Sequence, residues 1–544
     1  MTEVDLNAER LALDDARAAA RDKLEIFSRI AGGGVDEFTD QFIDAVVRST
    51  TDKLRQQLVV FGRVDDDRPW RIGLFGIDRG SDQLVVDWRA PFATGFYQAT
   101  LAAPMGLARR VSYVGCIDDL MVEDFVTGGI SGTSPLLAEL SRSRGTEMRT
   151  AVATLQSEQD RLVRLDPAAT LVLRGGPGTG KTVVALHRAA WLVYNDRRIT
   201  SDRILVLGPS DRFLRFVSAV LPTLGESRIT QTTFDRFLGD VTPVGADPRW
   251  LDVLDRFEAS LLRPAALRVR GRPMPADEIG ELLGRLADGG LPWRDRRSVL
   301  VARVAARLEV PPAEARRAIV EVMPAMSATA AGRKLRSRST LESLGAPADL
   351  IDTWLGVPGD GAIRDEIVAR FEGVATRFSH VIVDEAQDLN LFQLRAVLRR
   401  ADGLTLVGDD AQRSAVGGLG LIAVAEHLGA PVEQMATAYR MSAEIAEWLN
   451  VHADLHGIDA VRLIGVRPTG IEVSESHDAD PGELAAMLRA TWSNVAVITA
   501  ADVWSHKGVE YDAVVLDRRG MDPSEQYLAA SRAAHQLVIV DSST

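Results

Sequence analysis

Residues 171–182 read Leu-Val-Leu-Arg-Gly-Gly-Pro-Gly-Thr-Gly-Lys-Thr. An apolar run, Leu171 to Leu173, feeds a turn made of Gly175, Gly176, Pro177, Gly178, Thr179 and Gly180. Lys181 and Thr182 follow, then an amphipathic run through Val183, Val184, Leu186, Ala190 and Trp191. A buried strand, a glycine-rich loop and a helix in that order form the setting of the phosphate loop G-x-x-x-x-G-K-[ST]. The glycines let backbone N–H groups turn toward phosphate oxygens, at a helix N-terminus that already favours anions. Lys181 is expected to neutralise the β- and γ-phosphates of ATP, and Thr182 to place its hydroxyl on Mg²⁺.

The second half of such a site needs carboxylates at the end of another buried strand. His380 to Val383 is apolar and β-branched, and Asp384-Glu385-Ala386-Gln387-Asp388 follows it. Asp384 is the candidate to hold Mg²⁺ with Thr182, and Glu385 to orient and deprotonate the attacking water. A third strand, Leu404 to Val407, leads into Gly408-Asp409-Asp410-Ala411-Gln412, where the Gln412 amide can sense the γ-phosphate. The transition state spreads charge over the γ-phosphoryl oxygens, so a cation from a second lobe should complete the site. The candidates are Arg440 in Ala438-Tyr439-Arg440-Met441-Ser442 and Arg532 in Ala530-Ser531-Arg532-Ala533.

These residues must be carried by several units, because 544 residues exceed one core and imply about three or four domains. The predicted organisation has five parts. Residues 1–60 form an antiparallel helical hairpin. Its first helix bears Leu6, Leu13, Ala16, Ala20, Leu24, Phe27 and Ile30, and its second bears Phe38, Phe42, Val46, Leu54 and Leu58 around Gly32-Gly33-Gly34. Asp36, Glu37 and Asp40 make the tip acidic, and favourable meeting of a helix dipole is the ordinary reading of such carboxylates. Residues 61–130 form a small β-rich domain with an aromatic cluster, Asp87-Trp88-Arg89-Ala90-Pro91 and Phe96-Tyr97, expected as core more than interface. Residues 146–238 and 372–412 make the first lobe, 239–371 a helical insertion in which Ala331 to Thr340 is a basic exposed loop, and 413–544 the second lobe. Alternating strands and helices imply an α/β fold with parallel sheets covered on both faces.

The net charge of −13 disfavours a long polyanion as the main partner and favours a basic or protein partner, although a local groove can still take nucleic acid. One cysteine excludes an internal disulfide framework and a Cys-based zinc site. No membrane span or signal peptide is read, so the cytoplasm is expected.

Gln159, GGPGTGKT, DEAQD, GDDAQ, YRMS, HKGVEYD and YLAASRA occur in one order. This order resembles the UvrD/Rep-type superfamily 1 helicases over roughly residues 150–544. The resemblance implies two RecA-like lobes with ATP between them. It also implies that Gln159 reads the adenine edge, Tyr439 stacks on adenine, Arg440 and Arg532 act as arginine fingers, and Glu510, beside Gly508, binds ribose. One departure bears on the nucleotide: Val183 stands where many such helicases have an arginine that helps hold the base. Three bear on the substrate. Gly208-Pro209-Ser210-Asp211-Arg212 replaces the usual T-N-K-A-like DNA-contact motif. Arg413-Ser414-Ala415-Val416-Gly417-Gly418 lacks the aromatics that stack on bases. Only about 65 residues separate YRMS from HKGVEYD, too few for an inserted duplex-binding domain. The front half, with FGRVDDD, IGLFGID, VVDWRAPF and GFYQAT, resembles the HelD family of RNA polymerase-associated ATPases, as does LVLRGGPGTGKTVVALHRAAWLVY. That resemblance implies a hairpin (residues 1–60) entering the secondary channel of RNA polymerase core and an insertion reaching its DNA channel. It further implies ATP-driven release of nucleic acid with recycling of the polymerase. Some relatives protect polymerase against rifamycins. The alternative reading is a UvrD/Rep-like DNA helicase or translocase.

Overall fold

The computed structural model describes residues 4–31, 60–114, 116–132, 134, 155–226, 228–240, 242–287, 289–413 and 417–541. The expected second hairpin helix and its acidic tip, Asp36, Glu37 and Asp40, lie outside these residues, as do Ser414, Ala415 and Val416. No described helix is long and apolar enough to cross a membrane.

Helix α1 (Leu6–Ala31) lies on the first sheet. Leu13, Ala16 and Ala20 of the predicted stripe are buried there against Val60, Ile77, Val85 and Val111. Between helix and sheet sits Glu9, fully enclosed, accepting hydrogen bonds from Arg63, Arg71 and the Tyr113 hydroxyl. Burial alone would raise its carboxyl, but Tyr113, Arg71 and Arg63 outweigh that and hold it below the ordinary value. The sheet has seven strands: β1 (Val60–Asp65), β2 (Pro69–Gly73), β3 (Ile77–Arg79), β4 (Asp82–Asp87), β5 (Arg109–Val114), β6 (Cys116–Asp124) and β7 (Gly129–Gly132), in the order β3-β4-β2-β1-β5-β6-β7.

The first lobe follows from α2 (Ser157–Val163). Its six-stranded sheet is entirely parallel, in the order β10-β9-β13-β14-β8-β15. The strands are β8 (Leu171–Gly175), β9 (Ile204–Gly208), β10 (Thr230–Thr233), β13 (His380–Val383), β14 (Leu404–Gly408) and β15 (Val432–Met435). Every residue of β8, β9, β13 and β14 is buried, as expected for strands covered on both faces. Parallel register sets Val383 beside Leu406 and Leu173 beside Val407, so the loops after β8, β13 and β14 emerge at one edge. Helix α3 (Lys181–Asn195) runs from the first of these loops.

The lobe boundary at 412/413 needs correction. Strand β15 pairs with β8 inside the first sheet, so that sheet extends to Met435. Its sequence Val-Glu-Gln-Met is that of a half-exposed edge strand and lacks the continuous apolar run of its neighbours.

The insertion leaves the lobe after β10 and returns before β13. It packs its own core around Trp250, Phe257, Trp293, Leu300, Trp354, Ile363 and Phe371. Besides helices it contains a hairpin, β11 (Leu267–Val269) with β12 (Arg272–Met274). Its principal helices are α4 (Trp250–Leu261), α5 (Trp293–Leu308) and α6 (Gly361–Phe371). Residues 331–340, expected as an exposed loop, are largely helical, in Ala328–Lys334 and Arg338–Ser343. Ser327 and Ser337 cap those helices, and Ala331, Leu335 and Leu341 are fully buried beneath the basic side chains. After β13, helix α7 (Leu391–Leu398) starts with a capping box between Asn390 and Gln393.

The second lobe carries α8 (Ala443–His456) and a four-stranded parallel sheet of β18 (Ser474–His477), β21 (Ala533–Asp541), β20 (Tyr511–Asp517) and β19 (Val495–Ile498). A short pair, β16 (Thr437–Ala438) with β17 (Ile464–Gly465), lies between the two larger sheets in sequence. Helix α9 (Pro523–Ala530) precedes β21 and delivers Arg532. These two parallel α/β units are the RecA-like lobes of a helicase-type fold.

The aromatic cluster is core, as expected, and it joins two units. Trp88 is fully buried, its ring edge-on to His187 of α3 at 5.4 Å. Arg164 donates to the carbonyls of Trp88 (2.7 Å) and Ala90 (3.2 Å), and Gln98 donates to Asp160 of α2 (2.8 Å). Phe61, Phe96 and Tyr97 belong to the same apolar cluster as Leu173 and Leu186.

Candidate nucleotide site

The edge where the strand C-termini converge is where ligands bind in open parallel sheets. Here β8 ends in the phosphate loop. Gly178 (φ 70°) and Gly180 (φ 91°) take the left-handed backbone that glycine tolerates. Thr179 donates its hydroxyl to the Gly176 carbonyl (2.8 Å), and Lys181 Nζ donates to the same carbonyl (2.9 Å). Gly175, Gly176 and Pro177 are buried along the wall of the loop. A side chain at 176 would collide with Leu463.

Thr182 Oγ1 donates to Asp384 Oδ2 at 2.6 Å, so the loop and the second strand end present two hard oxygen ligands together. That donor set fits Mg²⁺. Burial raises the Asp384 carboxyl to about 6, and the neighbouring Glu385 charge adds to the rise. A dication between these groups would offset that excess negative charge. Among the described residues no group of three or more His, Cys, Asp or Glu could cage a metal alone, so phosphate and water would supply the remaining ligands.

Glu385 has φ 56°, an uncommon conformation for a side-chain-bearing residue, at the turn that follows Asp384. Its carboxylate accepts from Gln387 Nε2 at 2.6 Å and lies 3.4 Å from Lys507 Nζ. Burial pushes its pKa up, but Lys507 and Lys181 outweigh burial and hold Glu385 below its ordinary value.

The second lobe reaches this edge with three cations. Arg532 Nη2 donates to Gln412 Oε1 (2.6 Å), and its other nitrogens bond Ser531 and the carbonyls of Leu528 and Val509. Lys507 donates to Asp388 (2.6 Å) and to the Gln412 carbonyl (2.7 Å). Arg440 pairs with Glu510 at 3.3 Å, which places the candidate finger beside the candidate ribose ligand. The backbone N–H groups of Tyr439 (3.1 Å) and Arg440 (3.4 Å) donate to the Gly178 carbonyl, so this segment touches the phosphate loop directly. Gly508 turns between Lys507 and Val509 with φ 76°.

Gln159 sits against the loop, not in open space: Nε2 donates to the Thr179 carbonyl (3.0 Å), and Oε1 accepts from the Gln156 N–H (3.1 Å). The phosphate loop, Asp384, Glu385 and Gln412 therefore stand at the edge that Arg440, Lys507 and Arg532 reach, while Gln159 bonds within the first lobe behind the loop. Sequence reasoning missed Lys507, Gln387 and Asp409 as members of the site. Each stood inside a motif already recognised, but only the fold shows a lysine facing two carboxylates or an amide bridging two loops.

Residues 5–118 match the family model described as the N-terminal domain of DNA helicase IV HelD, and residues 159–418 match that of an AAA domain. No curated protein matches the chain. Among solved structures, a PRRSV helicase is 13% identical, with 71% of this chain and 56% of that chain covered and a TM-score of 0.29. An arterivirus nonstructural protein 10 helicase in complex with DNA is 15% identical, with 70% and 62% covered and a TM-score of 0.28. The chain thus spans little more than half of the first of these helicases. A HelD-type N-terminal domain joined to a helicase-type AAA domain makes this chain a HelD-like protein.

Proposed function

We propose that this chain hydrolyses ATP between its two lobes and uses the cycle to act on RNA polymerase core, releasing or preventing bound nucleic acid so that the enzyme is recycled. The observation that carries the hydrolytic part is the meeting, at one sheet edge, of a phosphate loop, the Thr182–Asp384 pair and cations from the other lobe. The polymerase part rests on the HelD-type N-terminal domain. Its Trp88 segment is seated against the helices that flank the nucleotide site.

In this reading the loop from Gly175 to Gly180 cradles the phosphates, and Lys181 neutralises the β- and γ-groups. Thr182 and Asp384 would hold Mg²⁺, which would supply charge neutralisation at the phosphoryl oxygens. Glu385 takes the proton of the attacking water, and Gln412 senses the γ-phosphate. Arg532 and Arg440 meet the charge that develops in flight. Tyr439 and Gln159 hold the base and Glu510 the ribose. Residues 1–60 contact the polymerase channel, the insertion of residues 239–371 reaches toward bound nucleic acid, and the protein works in the cytoplasm.

ATP turnover by the full chain alone, with single-stranded DNA, and with core RNA polymerase tests this, with co-sedimentation on the polymerase. A stable polymerase complex with little stimulation by DNA is expected. Strong stimulation by DNA without a complex would establish the UvrD/Rep-like translocase instead.

A further inference from the structure

Glu385 is not held by its own backbone alone. Gln387, fully buried two residues on, donates Nε2 to Glu385 Oε2 at 2.6 Å. Its Oε1 accepts the Asp409 N–H at 3.1 Å. The amide therefore ties the loop after β13 to the loop after β14. Room for it exists only because residue 408 is glycine: a Cβ there would stand 2.3 Å from Gln387 Oε1. The connection continues. Asp409 Oδ2 accepts from Gln412 Nε2 at 2.8 Å, and Gln412 Oε1 accepts from Arg532 Nη2 at 2.6 Å. Lys507 closes the circuit on the other side, with Nζ between the Gln412 carbonyl and Glu385 Oε2.

We infer that Gln387 is a positioning residue for hydrolysis: it fixes the carboxylate of Glu385 and conveys to it whether Arg532 of the second lobe is docked on Gln412. This rests on the proposed reading of Glu385 as the water-activating group. The physical case has two parts. Glu385 sits on a left-handed backbone, and its long side chain has rotamers to choose among. A buried donor to an ionised acceptor both selects one rotamer and is among the stronger hydrogen bonds available. Only a side chain with a donor at one face and an acceptor at the other serves both loops. Ionised glutamate lacks the donor, and methionine has no donor and only a weak thioether acceptor.

The test uses the full chain with Gln387→Met, which keeps the volume, and Gln387→Glu, which keeps the acceptor. Loss of one hydrogen bond to a charged group predicts kcat lower by roughly 10- to 100-fold in both variants. KM and the affinity for a fluorescent, slowly hydrolysed ATP analogue should stay within about twofold. Because Gln387 acts through Glu385, adding Gln387→Met to Glu385→Gln should lower the residual radiometrically measured rate no further. Unchanged kcat in both variants would overturn the inference, as would an equal loss of analogue affinity. A full repeat of the loss in the Glu385→Gln background would also overturn it, by marking a structural role. Should Gln387→Met fail to fold, Gln387→Glu carries the same readouts. A wild-type chain that binds the analogue but turns over no ATP overturns the proposed hydrolysis and this inference together. A Gln387→Met chain as fast as an active wild type overturns the inference alone.

Discussion

Glu366→Gln removes one charge from the seam between the insertion and the first lobe. Glu366 on α6 is fully buried and accepts from Arg370 (2.8 Å) on its own helix and from Arg395 (3.0 Å) and Arg399 on or next to α7. Burial by itself would raise the carboxyl; the hydrogen bonds of Arg395 and the charges of Arg399 and Arg370 overcome that and hold it at about 2, against an ordinary 4.5. At about 1.4 kcal/mol per pKa unit, that difference is worth about 3 kcal/mol. The folded pKa is depressed, so the contribution is complete above the unfolded value near 4.5 and is lost as pH falls from there toward 2. The glutamine variant should therefore lose about 3 kcal/mol at pH 7, because three guanidiniums keep their burial without their shared counter-charge. For a cooperative unit of about 200 residues this lowers the melting temperature by roughly 6–12 °C. Calorimetry of wild type and variant at pH 7, 5, 4 and 3 reads the effect. The gap between them should hold from pH 7 to 5 and narrow below about 4. Equal melting at pH 7, or a gap that stays constant down to pH 3, would refute the reasoning.

Arg532→Lys keeps a charge but loses the fork that bonds Gln412 and Ser531 together; kcat should fall by at least about 100-fold with little change in analogue binding, measured by phosphate release. Trp88→Ala should destabilise the joint between the N-terminal sheet and α3 by about 3–5 kcal/mol, seen as an earlier calorimetric transition; an unaltered melt would mean that the neighbouring Arg164 and Gln98 bonds hold the joint without it.

Much of the site was legible in the chain because its chemistry is local. The phosphate loop needs glycines, a lysine and a threonine within a dozen residues, and each carboxylate or amide group follows its own buried strand. Strands covered on both faces announce themselves as apolar runs, which is why β8, β13 and β14 were readable. The half-exposed strand β15 was not, since an edge strand carries no such run, and the first lobe was consequently ended too early. The basic stretch from Ala331 to Thr340 misled in the opposite way: Arg333, Lys334 and Arg338 face outward, while alanine and leucine at helical spacing point into the insertion core and Arg336 folds over the Trp354 ring.

What the sequence determined by itself was the inventory: a nucleotide loop, candidate groups for Mg²⁺ and water, arginines in a second lobe, and a HelD-like front end. What only the tertiary structure decided was the pairing. Asp384 meets Thr182, Gln387 bridges Glu385 to Asp409, Arg532 meets Gln412, and Lys507 faces Glu385 and Asp388. These contacts join residues up to 202 positions apart. Parallel register brings the strand ends to one edge, and the second lobe closes on that edge. Neither spacing nor composition encodes which side chain will lie opposite which across that gap, because the partner is chosen by geometry built from every strand and helix between them.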